Sequence, residues 1–329
     1  MNKFQNPMFL SLLLTSIIFM ISSHSWLIMW ISLEINLLSM ITLLINPSNP
    51  LSSEAGIKYF LIQVSASLLF LLGVIISLSH MFNYPYNYPI LIALLMKMGA
   101  APFHFWMPEI MESMKWLNLF IMLTIQKISP LIFMSYMNLP LPMIIMISLM
   151  SITIGGIQGL FQNSLRKILT FSSITHTGWM MIPIYYSLML WLIYMTIYSI
   201  TMFNLICMFN PFNPHTPASL MALYSNPINK YFIVINFLTL SGIPPFVMFM
   251  AKWLVINLMI NSFSLIAPFM MMTITLITMY FYLRSMYMFM TISPNRQNTN
   301  YKFNQKLPAT SIIFNSMGLI FMTISPMFI

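Results

Sequence analysis

Four charged residues lie inside long apolar stretches of this sequence. Glu34 stands in WISLEINLLSM, Lys97 in LIALLMKMGAA, Lys127 in LTIQKISPLIF and Lys252 in FVMFMAKWLV. Burial favours the neutral form of a lysine, and a nearby carboxylate favours the charged form. A buried lysine with a movable carboxylate partner can therefore take up and release a proton. The four residues are candidates for proton transfer, provided that helices hold them in place.

The composition indicates that these helices lie in a membrane. Of the 329 residues, 59% are hydrophobic and only 5% are charged, whereas a soluble domain has about 25% charged residues. The mean hydropathy is +0.86. The net charge of +9 comes from lysines and arginines spread thinly along the chain. It indicates cationic loops on one side of a membrane, and not the dense basic patch of a nucleic-acid-binding protein.

The apolar stretches predict an all-α integral membrane protein with eleven transmembrane helices. A helix needs roughly 20 apolar residues to cross a bilayer. Residues 4–22 are interpreted as the first such helix and not as a cleavable signal, because no polar cleavage region follows them. The predicted helices are 4–22, 25–45, 57–79, 89–112, 116–137, 141–161, 165–184, 186–209, 228–258, 262–288 and 308–328.

The remaining charges agree with this helix count. If the helices alternate in direction, ten of the thirteen cations fall on the N-terminal side of the membrane and none on the other side. These cations are Lys3, Lys58, Lys115, Arg166, Lys167, Lys230, Arg284, Arg296, Lys302 and Lys306. Glu54, Glu109 and Glu112 fall on the same side. Because loops on the matrix or cytoplasmic side carry the excess of Lys and Arg, we expect the N-terminus there and the C-terminus opposite.

Two predicted helices contain residues that break helices, each close to a buried lysine. The breakers are Gly99 and Pro102 in the fourth helix and Gly242, Pro244 and Pro245 in the ninth. Proline lacks an amide hydrogen and clashes with the preceding turn, so one such helix could simply be kinked. Interruptions at the fourth position of two five-helix halves are instead typical of the inverted repeats of ion transporters.

This pattern predicts a single membrane domain made of two inverted repeats. Residues 1–137 would form the first five-helix repeat and residues 138–290 the second. Residues 291–329 would form a polar loop and the last helix. An odd number of helices in each repeat makes the two halves inverted with respect to the membrane.

The buried lysines have a second interpretation. A long lysine stem can carry its charged head to the membrane interface. Such snorkelling explains one lysine near a helix end, such as Lys252, better than it explains three lysines and a glutamate near mid-span. The favoured hypothesis is a switch, in which Lys97 loads a proton while Glu34 is close and releases it when the pair separates or another cation approaches.

Two histidines are candidates for passing protons, since an imidazole changes charge near neutral pH. His104 follows the break in the fourth helix, and His176 lies in SSITHTGWM of the seventh. Either could instead be a hydrogen-bonded structural residue. His24, His80 and His215 are predicted to lie in loops or at the interface.

The sequence argues against several other kinds of site. The single cysteine, Cys207, cannot form an intrachain disulfide or hold an iron–sulfur cluster alone. No predicted helix holds two histidines, which argues against a bis-histidine haem. The sequence has no GxGxxG, no P-loop and no zinc-ligand spacing. We therefore expect this chain to bind no cofactor and no metal.

Six segments resemble the antiporter-like membrane subunits of respiratory complex I, the NADH:ubiquinone oxidoreductase. The most specific is KMGAAPFHFWMPE at 97–109. The others are SWLIMWISLEINLLS (25–39), EAGIKYFLIQ (54–63), QKISP (126–130), SLRKILTFSSITHTGWM (164–180) and LSGIPPFVMFMAKW (240–253). The C-terminal fifth matches only in hydrophobic character. The rich methionine usage, with 37 Met, suggests an insect-like animal member.

The resemblance implies proton translocation driven by quinone reduction elsewhere in the complex. It implies that Glu34 and Lys97 are the family's paired glutamate and lysine, and that Lys127 is its central connecting lysine. Lys252 would be the lysine of the second broken helix, and His176 would help to connect the axis. NADH, FMN, iron–sulfur clusters and ubiquinone would be bound by other subunits.

The resemblance also implies a location and partners. The chain would lie in the mitochondrial inner membrane, with its N-terminus in the matrix and its C-terminus in the intermembrane space. It would contact other membrane-arm subunits and lipids, cardiolipin being a candidate, and no nucleic acid. Two alternatives stay open, a stand-alone cation/proton antiporter of the same fold and a purely structural scaffold. The residues at 290–307 have no assigned role.

Overall fold

The structure is a computed structural model that describes residues 5–23, 25–45, 49–78, 88–137, 139–211, 213–216, 219, 227–262 and 265–291. All regular secondary structure in these ranges is α-helical. The predicted helix at 308–328, the loop at 292–307, His24 and His80 lie outside the described residues.

Thirteen helices lie within the described ranges. They are α1 (Gln5–Ser22), α2 (Trp26–Leu44), α3 (Pro50–Leu78), α4 (Tyr88–Met98), α5 (Trp106–Ser113), α6 (Trp116–Leu123), α7 (Ile125–Ser135), α8 (Leu141–Leu160), α9 (Leu165–Tyr186), α10 (Leu188–Phe209), α11 (Pro227–Ser241), α12 (Val247–Ser262) and α13 (Ile266–Thr291).

Each of the ten helices predicted before residue 291 is present, and three of them are divided in two. α4 and α5 are the halves of the predicted fourth helix, and α11 and α12 are the halves of the ninth. Both predicted interruptions are therefore confirmed. The third division, between α6 and α7 at Thr124, was not predicted from the sequence.

The predicted start of the third helix, residue 57, is wrong by seven residues because α3 begins at Pro50. The side-chain oxygen of Asn49 accepts a hydrogen bond of 3.3 Å from the amide of Leu51. An asparagine before the first turn and a proline at its first position are a strong helix start. Glu54 consequently lies within α3, as Lys58 does, and not in a loop before it.

Among the residues that the structure describes, six helical segments are long and apolar enough to cross a membrane. They are Trp26–Leu44, Pro50–Ser77, Trp116–Ser135, Leu141–Leu160, Leu188–Phe209 and Ile266–Tyr287. The outward face of α3 is unsuited to water, since Ile57, Leu61, Leu68, Leu72 and Ile75 are all exposed. Their spacing places them on one face of the helix, and such an apolar stripe is unfavourable in water.

α9 has the opposite character. It is buried over almost its whole length, and its buried residues include Ser172, Ser173, Thr175, His176 and Thr177. A helix surrounded on all sides by protein does not need an apolar surface. Polar groups in membrane helices generally face the interior of the bundle, and α9 places a row of them there.

The chain divides into two compact units, Met1–Ile147 and Ser148–Ile329. In the first unit α1 packs on α2, α3 packs on α2, α4 and α5, and α4 packs on α7. In the second unit α10 packs on α9, α11 and α12, and α13 packs on α11.

Glycine permits close helix packing in the second unit. A Cβ added to Gly178 of α9 would overlap the Oγ of Ser151 on α8 and would lie 2.7 Å from the side chain of Ile152. Small residues at such crossings allow membrane helices to approach closely. The polar helix α9 is therefore held tightly against α8.

Candidate functional site

Lys97 lies in the last turn of α4, directly before the first break. Gly99 follows with a φ of +63°, a conformation that glycine adopts far more readily than other residues. The amide of Gly99 donates to the carbonyl of Met96 at 3.2 Å, and that of Ala100 donates to the carbonyl of Leu95 at 3.0 Å. These two bonds form a Schellman motif, which ends the helix and satisfies two of its last carbonyls.

Side chains satisfy the carbonyls at this helix end further. The indole of Trp106 donates to the carbonyl of Met96 at 3.2 Å, and the amide of Gln63 donates to the carbonyl of Lys97 at 3.4 Å. A broken helix at membrane depth needs such partners, because lipid offers no hydrogen bonds. The break is therefore an ordered element that fixes Lys97 at a helix end.

The side chain of Lys97 is buried, with 9% of its surface exposed. It borders a narrow cavity about the size of one water molecule. The cavity is lined by Leu33, Asn36, Leu37, Tyr59, Gln63, Lys97, Gln126, Ser129 and Pro130. The polar members of this lining come from four different helices, and a water held there would meet several hydrogen-bonding groups.

A short chain of hydrogen bonds joins α2 to α7 beside this cavity. The amide of Gln126 donates to the side-chain oxygen of Asn36 at 2.9 Å, and the amide of Asn36 donates to the hydroxyl of Ser129 at 3.2 Å. Lys127 follows Gln126 directly and is 1% exposed. The network therefore holds in register the helices that carry Glu34 and Lys127.

Glu34 is half-buried on α2. Its carboxylate is near Lys97, but among the described residues the two side chains form no direct ion pair. One carboxylate oxygen, Oε1, is buried without a hydrogen-bond partner. Leaving a buried acceptor unpaired is unfavourable, so this oxygen is available to a water molecule or a moving cation.

The backbone is irregular on both sides of Lys127. The hydroxyl of Thr124 donates to the carbonyl of Phe120 at 2.7 Å, and the amide of Lys127 bonds the carbonyl of Thr124 at 3.1 Å, only three residues back. Pro130 lies inside α7 and cannot donate to the carbonyl of Gln126. A threonine and a proline flanking a membrane lysine were the unrecognised sequence signal for this division.

Lys252 lies beyond the second break and turns back toward it. Its Nζ donates to the carbonyl of Ser241, the last residue of α11, at 3.0 Å. The same atom lies 5.9 Å from the centre of the Trp179 ring. Gly242, with a φ of +77°, leaves room for the lysine, since an added Cβ would lie 2.7 Å from Nζ. A helix C-terminus and an indole face both attract a cation.

His176 lies in the buried centre of α9 and is 2% exposed. Its Nδ1 is 2.9 Å from the hydroxyl of Tyr194 on α10, and its ring centre is 5.0 Å from that of Tyr198. A tyrosine hydroxyl can donate or accept, so the pair is compatible with either ring tautomer. Trp179 follows one turn later on α9, and its ring meets Lys252.

His104 has a local contact at the first break. Its Nδ1 is 3.2 Å from the carbonyl of Pro102. A carbonyl oxygen can only accept, so this nitrogen carries the hydrogen and the ring helps to fold the segment after Gly99. His215, the remaining described histidine, accepts a hydrogen bond from the amide of Leu165 through its own carbonyl.

The structure thus groups the predicted site residues within each unit. In the first unit, Lys97 lines the polar cavity, Glu34 follows the lining residue Leu33 on α2, and Lys127 follows the lining residue Gln126 on α7. In the second unit, His176 lies on α9, and Lys252 lies near Trp179, one turn later on the same helix. The amide and hydroxyl members of the site were not predicted from the sequence, because such groups stand out less in an apolar helix than charges and histidines do. Asparagine, glutamine and tyrosine inside apolar helices were the available signal. In the described ranges no group of three or more metal-ligating side chains is present.

Charges outside the buried sites meet at helix ends. Lys58 lies 3.0 Å from Glu54 and 3.3 Å from Glu109, beside Glu112. The sequence predicts these four residues on one side of the membrane, and the structure brings them together within the first unit. In the second unit, Arg284 donates to the carbonyl of Gln162, between α8 and α9, at 2.6 Å.

Broken apolar helices with buried lysines at the breaks define an antiporter-like membrane protein, and comparison with known proteins agrees. The family model "NADH:quinone oxidoreductase/Mrp antiporter, TM" matches residues 23–85 and 83–281. "NADH-ubiquinone oxidoreductase chain 2" of Anopheles gambiae is 41% identical over 97% of this chain and 96% of that protein. The chain belongs to the NADH-ubiquinone oxidoreductase chain 2 family.

Solved structures show the same fold at lower identity. A chain of respiratory complex I from Thermus thermophilus superposes with a TM-score of 0.85 and 20% identity, covering 97% of this chain and 79% of that one. A chain of the Mrp complex from Dietzia sp. superposes with a TM-score of 0.75 and 16% identity, covering 87% of this chain and 60% of that one.

Proposed function

We propose that this chain is a proton-translocating membrane-arm subunit of NADH:ubiquinone oxidoreductase in the mitochondrial inner membrane. The observation that carries the proposal is the burial of three lysines inside apolar helices, with Lys97 at 9%, Lys127 at 1% and Lys252 at 5% exposure. A scaffold would avoid the cost of placing ionisable groups at this depth. Their ammonium groups lie within protein, which does not fit snorkelling to the interface.

In the first unit, Glu34 and Lys97 act as the switch. The two groups influence each other without a direct bond, and the cavity beside Lys97 has room for about one water molecule. Approach of Glu34 favours the charged lysine, and its withdrawal favours release of the proton. The released proton passes through the polar lining toward Lys127, the next buried base on α7.

In the second unit, Lys252 and His176 are the corresponding groups. The carbonyl of Ser241 and the ring of Trp179 hold the ammonium of Lys252 when it is charged. Loss of that contact on movement of α11 against α12 would favour the neutral lysine. His176 exchanges protons with its neighbours through its two ring nitrogens. His104 has a structural part in this proposal, because its described contact is with the break itself.

Electron transfer is assigned to other subunits. The residues in the described ranges offer no cluster of metal ligands, and the sequence has no nucleotide-binding motif. In this proposal NADH, FMN, the iron–sulfur clusters and ubiquinone are bound elsewhere in the complex, and the chain couples to them mechanically and electrostatically through neighbouring membrane-arm subunits. Lipids, with cardiolipin as a candidate, cover its apolar outer face.

The topology completes the proposal. Eleven helices would form two inverted repeats, residues 1–137 and 138–290, with the N-terminus in the matrix and the C-terminus in the intermembrane space. The paired breaks at Gly99 and Gly242 support the repeat, because both follow the same helix position in their halves. The meeting of Lys58 with Glu54 and Glu109 supports the assignment of these charges to one side.

A stand-alone cation/proton antiporter is the second candidate, since a chain of the Mrp complex shares the fold. Purification in mild detergent separates the two. Recovery of this chain in an assembly with flavin and iron–sulfur clusters supports the first, whereas recovery with other antiporter chains and without redox centres supports the second.

The decisive experiment changes Lys97 to arginine in the assembled enzyme. Arginine keeps the positive charge but does not release its proton. We expect NADH oxidation to continue in vesicles while fewer protons are moved for each NADH. Lys115→Arg, at an exposed position between α5 and α6, is the matched control and should leave the proton yield unchanged. A normal proton yield in Lys97→Arg contradicts the proposed switch.

A further inference from the structure

Three buried tyrosines lie beside α9 and have no part in the function proposed so far. Tyr194 and Tyr198 are one turn apart on α10, and Tyr282 lies on α13; their exposures are 1%, 0% and 1%. Phenylalanine would fill the same volume without bringing a hydroxyl into the interior. The three hydroxyls are therefore polar groups that need an explanation, since burying one without a partner is unfavourable.

The tyrosines form a series that begins at His176. The hydroxyl of Tyr194 lies 2.9 Å from Nδ1 of His176, and the Tyr198 ring lies 5.0 Å from the imidazole, centre to centre. Ser173 of α9 lies beside the Tyr198 hydroxyl, and Ser172 lies beside that of Tyr282. Each tyrosine therefore faces a polar group of α9.

The last two hydroxyls are not fully satisfied by protein. The hydroxyls of Ser172 and Ser173 donate to the carbonyls of Leu169 and Thr170, each at 2.7 Å, so they can only accept from a tyrosine. The hydroxyls of Tyr198 and Tyr282 lie near these serines but form no hydrogen bond of good geometry with the described residues. Buried polar groups in this situation are usually bridged by ordered water.

The series has a direction. Tyr198 lies four residues after Tyr194 on α10, a displacement of about 6 Å along the helix. Tyr282 lies two residues before Arg284, which is bonded to the carbonyl of Gln162 directly before α9. The hydroxyls thus run from the middle of α9 toward the end of the second unit where α9 begins.

We infer that Tyr194, Tyr198 and Tyr282 form a hydroxyl relay that exchanges protons between His176 and the solution at that end of the unit. The relay rests on the proposed function, which needs a route from the buried groups to one membrane surface. In each transfer a tyrosine oxygen takes a proton from one neighbour while its own proton passes to the next. Rotation of the hydroxyls or of the bridging waters restores the starting arrangement, so no group stays charged.

The test uses the intact complex in sealed vesicles, with Tyr194→Phe, Tyr198→Phe and Tyr282→Phe made singly. Each variant should lose the share of proton translocation carried by this chain while the complex still oxidises NADH. Tyr280→Phe is the matched control, because Tyr280 lies on the same helix as Tyr282 but is 61% exposed. It should keep the full proton yield.

The outcomes separate the relay from the proposed function. Normal translocation in all three tyrosine variants, alongside a loss in Lys97→Arg, overturns the relay and leaves the function standing. Normal translocation in the tyrosine variants and in Lys97→Arg overturns both. If a variant fails to assemble, a density map of the unmodified complex decides the question. The relay requires ordered water at the hydroxyls of Tyr198 and Tyr282. The absence of water at these hydroxyls overturns the relay.

Discussion

Changing Gly242 to alanine should disable the second buried lysine without removing any charge. The added Cβ would lie 2.7 Å from Nζ of Lys252 and 3.1 Å from its Cδ and Cε. The lysine must therefore leave the carbonyl of Ser241, to which it donates at 3.0 Å. A non-glycine residue in a left-handed conformation costs about 1–2 kcal/mol. Loss of a hydrogen bond from a charged group costs roughly 1.5–3 kcal/mol, so the sum is roughly 2.5–5 kcal/mol.

The assay compares proton yield, NADH oxidation and melting temperature of the assembled complex. Gly242→Ala should melt earlier and move fewer protons for each NADH. Gly156→Ala on α8 is the matched control, because the nearest atom to its added Cβ would be Thr278 Cγ2 at 3.4 Å, an ordinary contact. Alanine also favours a helix over glycine by about 1 kcal/mol, so this control should be neutral or slightly stabilising. A Gly242→Ala complex with normal melting and proton yield refutes the assigned position of Lys252.

Three further changes test other parts of the structure. Asn36→Leu removes the acceptor of Gln126 and the donor to Ser129. It should destabilise the complex by about 1–3 kcal/mol and lower the proton yield, and both effects can be measured on purified enzyme. An unchanged melting temperature would show that the network is dispensable. Gly178→Ala has no space against α8 and should prevent assembly, as seen on native gels, and a fully assembled variant would contradict the close packing. Glu109→Gln removes the charge from the exposed ion pair with Lys58, which solvent screens. The melting temperature and the proton yield should both stay near normal. A large loss of either would show that this ion pair contributes more than its exposure implies.

The sequence predicted the helices and their interruptions because both depend on local chemistry. Apolar stretches of sufficient length define membrane helices, and a glycine followed within a few residues by proline favours the end of a helix. The start of α3 was placed late because the apolar pattern begins at residue 57, whereas the helix begins at the Asn49–Pro50 start signal. The division at Thr124 escaped because threonine also occurs inside unbroken helices, as Thr170 and Thr175 do in α9, so the residue type alone does not mark a break.

The candidate site was predictable only in its charged members. A lone glutamate or lysine in an apolar helix stands out, because placing a charge within the membrane costs free energy. Asn36 and Tyr194 do not stand out, because burying a single amide or hydroxyl costs far less free energy than burying a charge. Their role becomes visible only through a hydrogen-bond partner on another helix. Gln126 meets Asn36 across 90 positions in the sequence, and no local pattern reports such a pairing. Burial and partners of this kind come from tertiary packing.

The most direct test of the central claim is a density map of the native membrane assembly that resolves ordered water. We expect a continuous hydrated row at mid-membrane that reaches Glu34, Lys97, Lys127, His176 and Lys252, with the lysine head groups facing it. A dry, apolar centre with the lysines turned to the membrane interface would contradict the proposed proton path and leave this chain a structural role only.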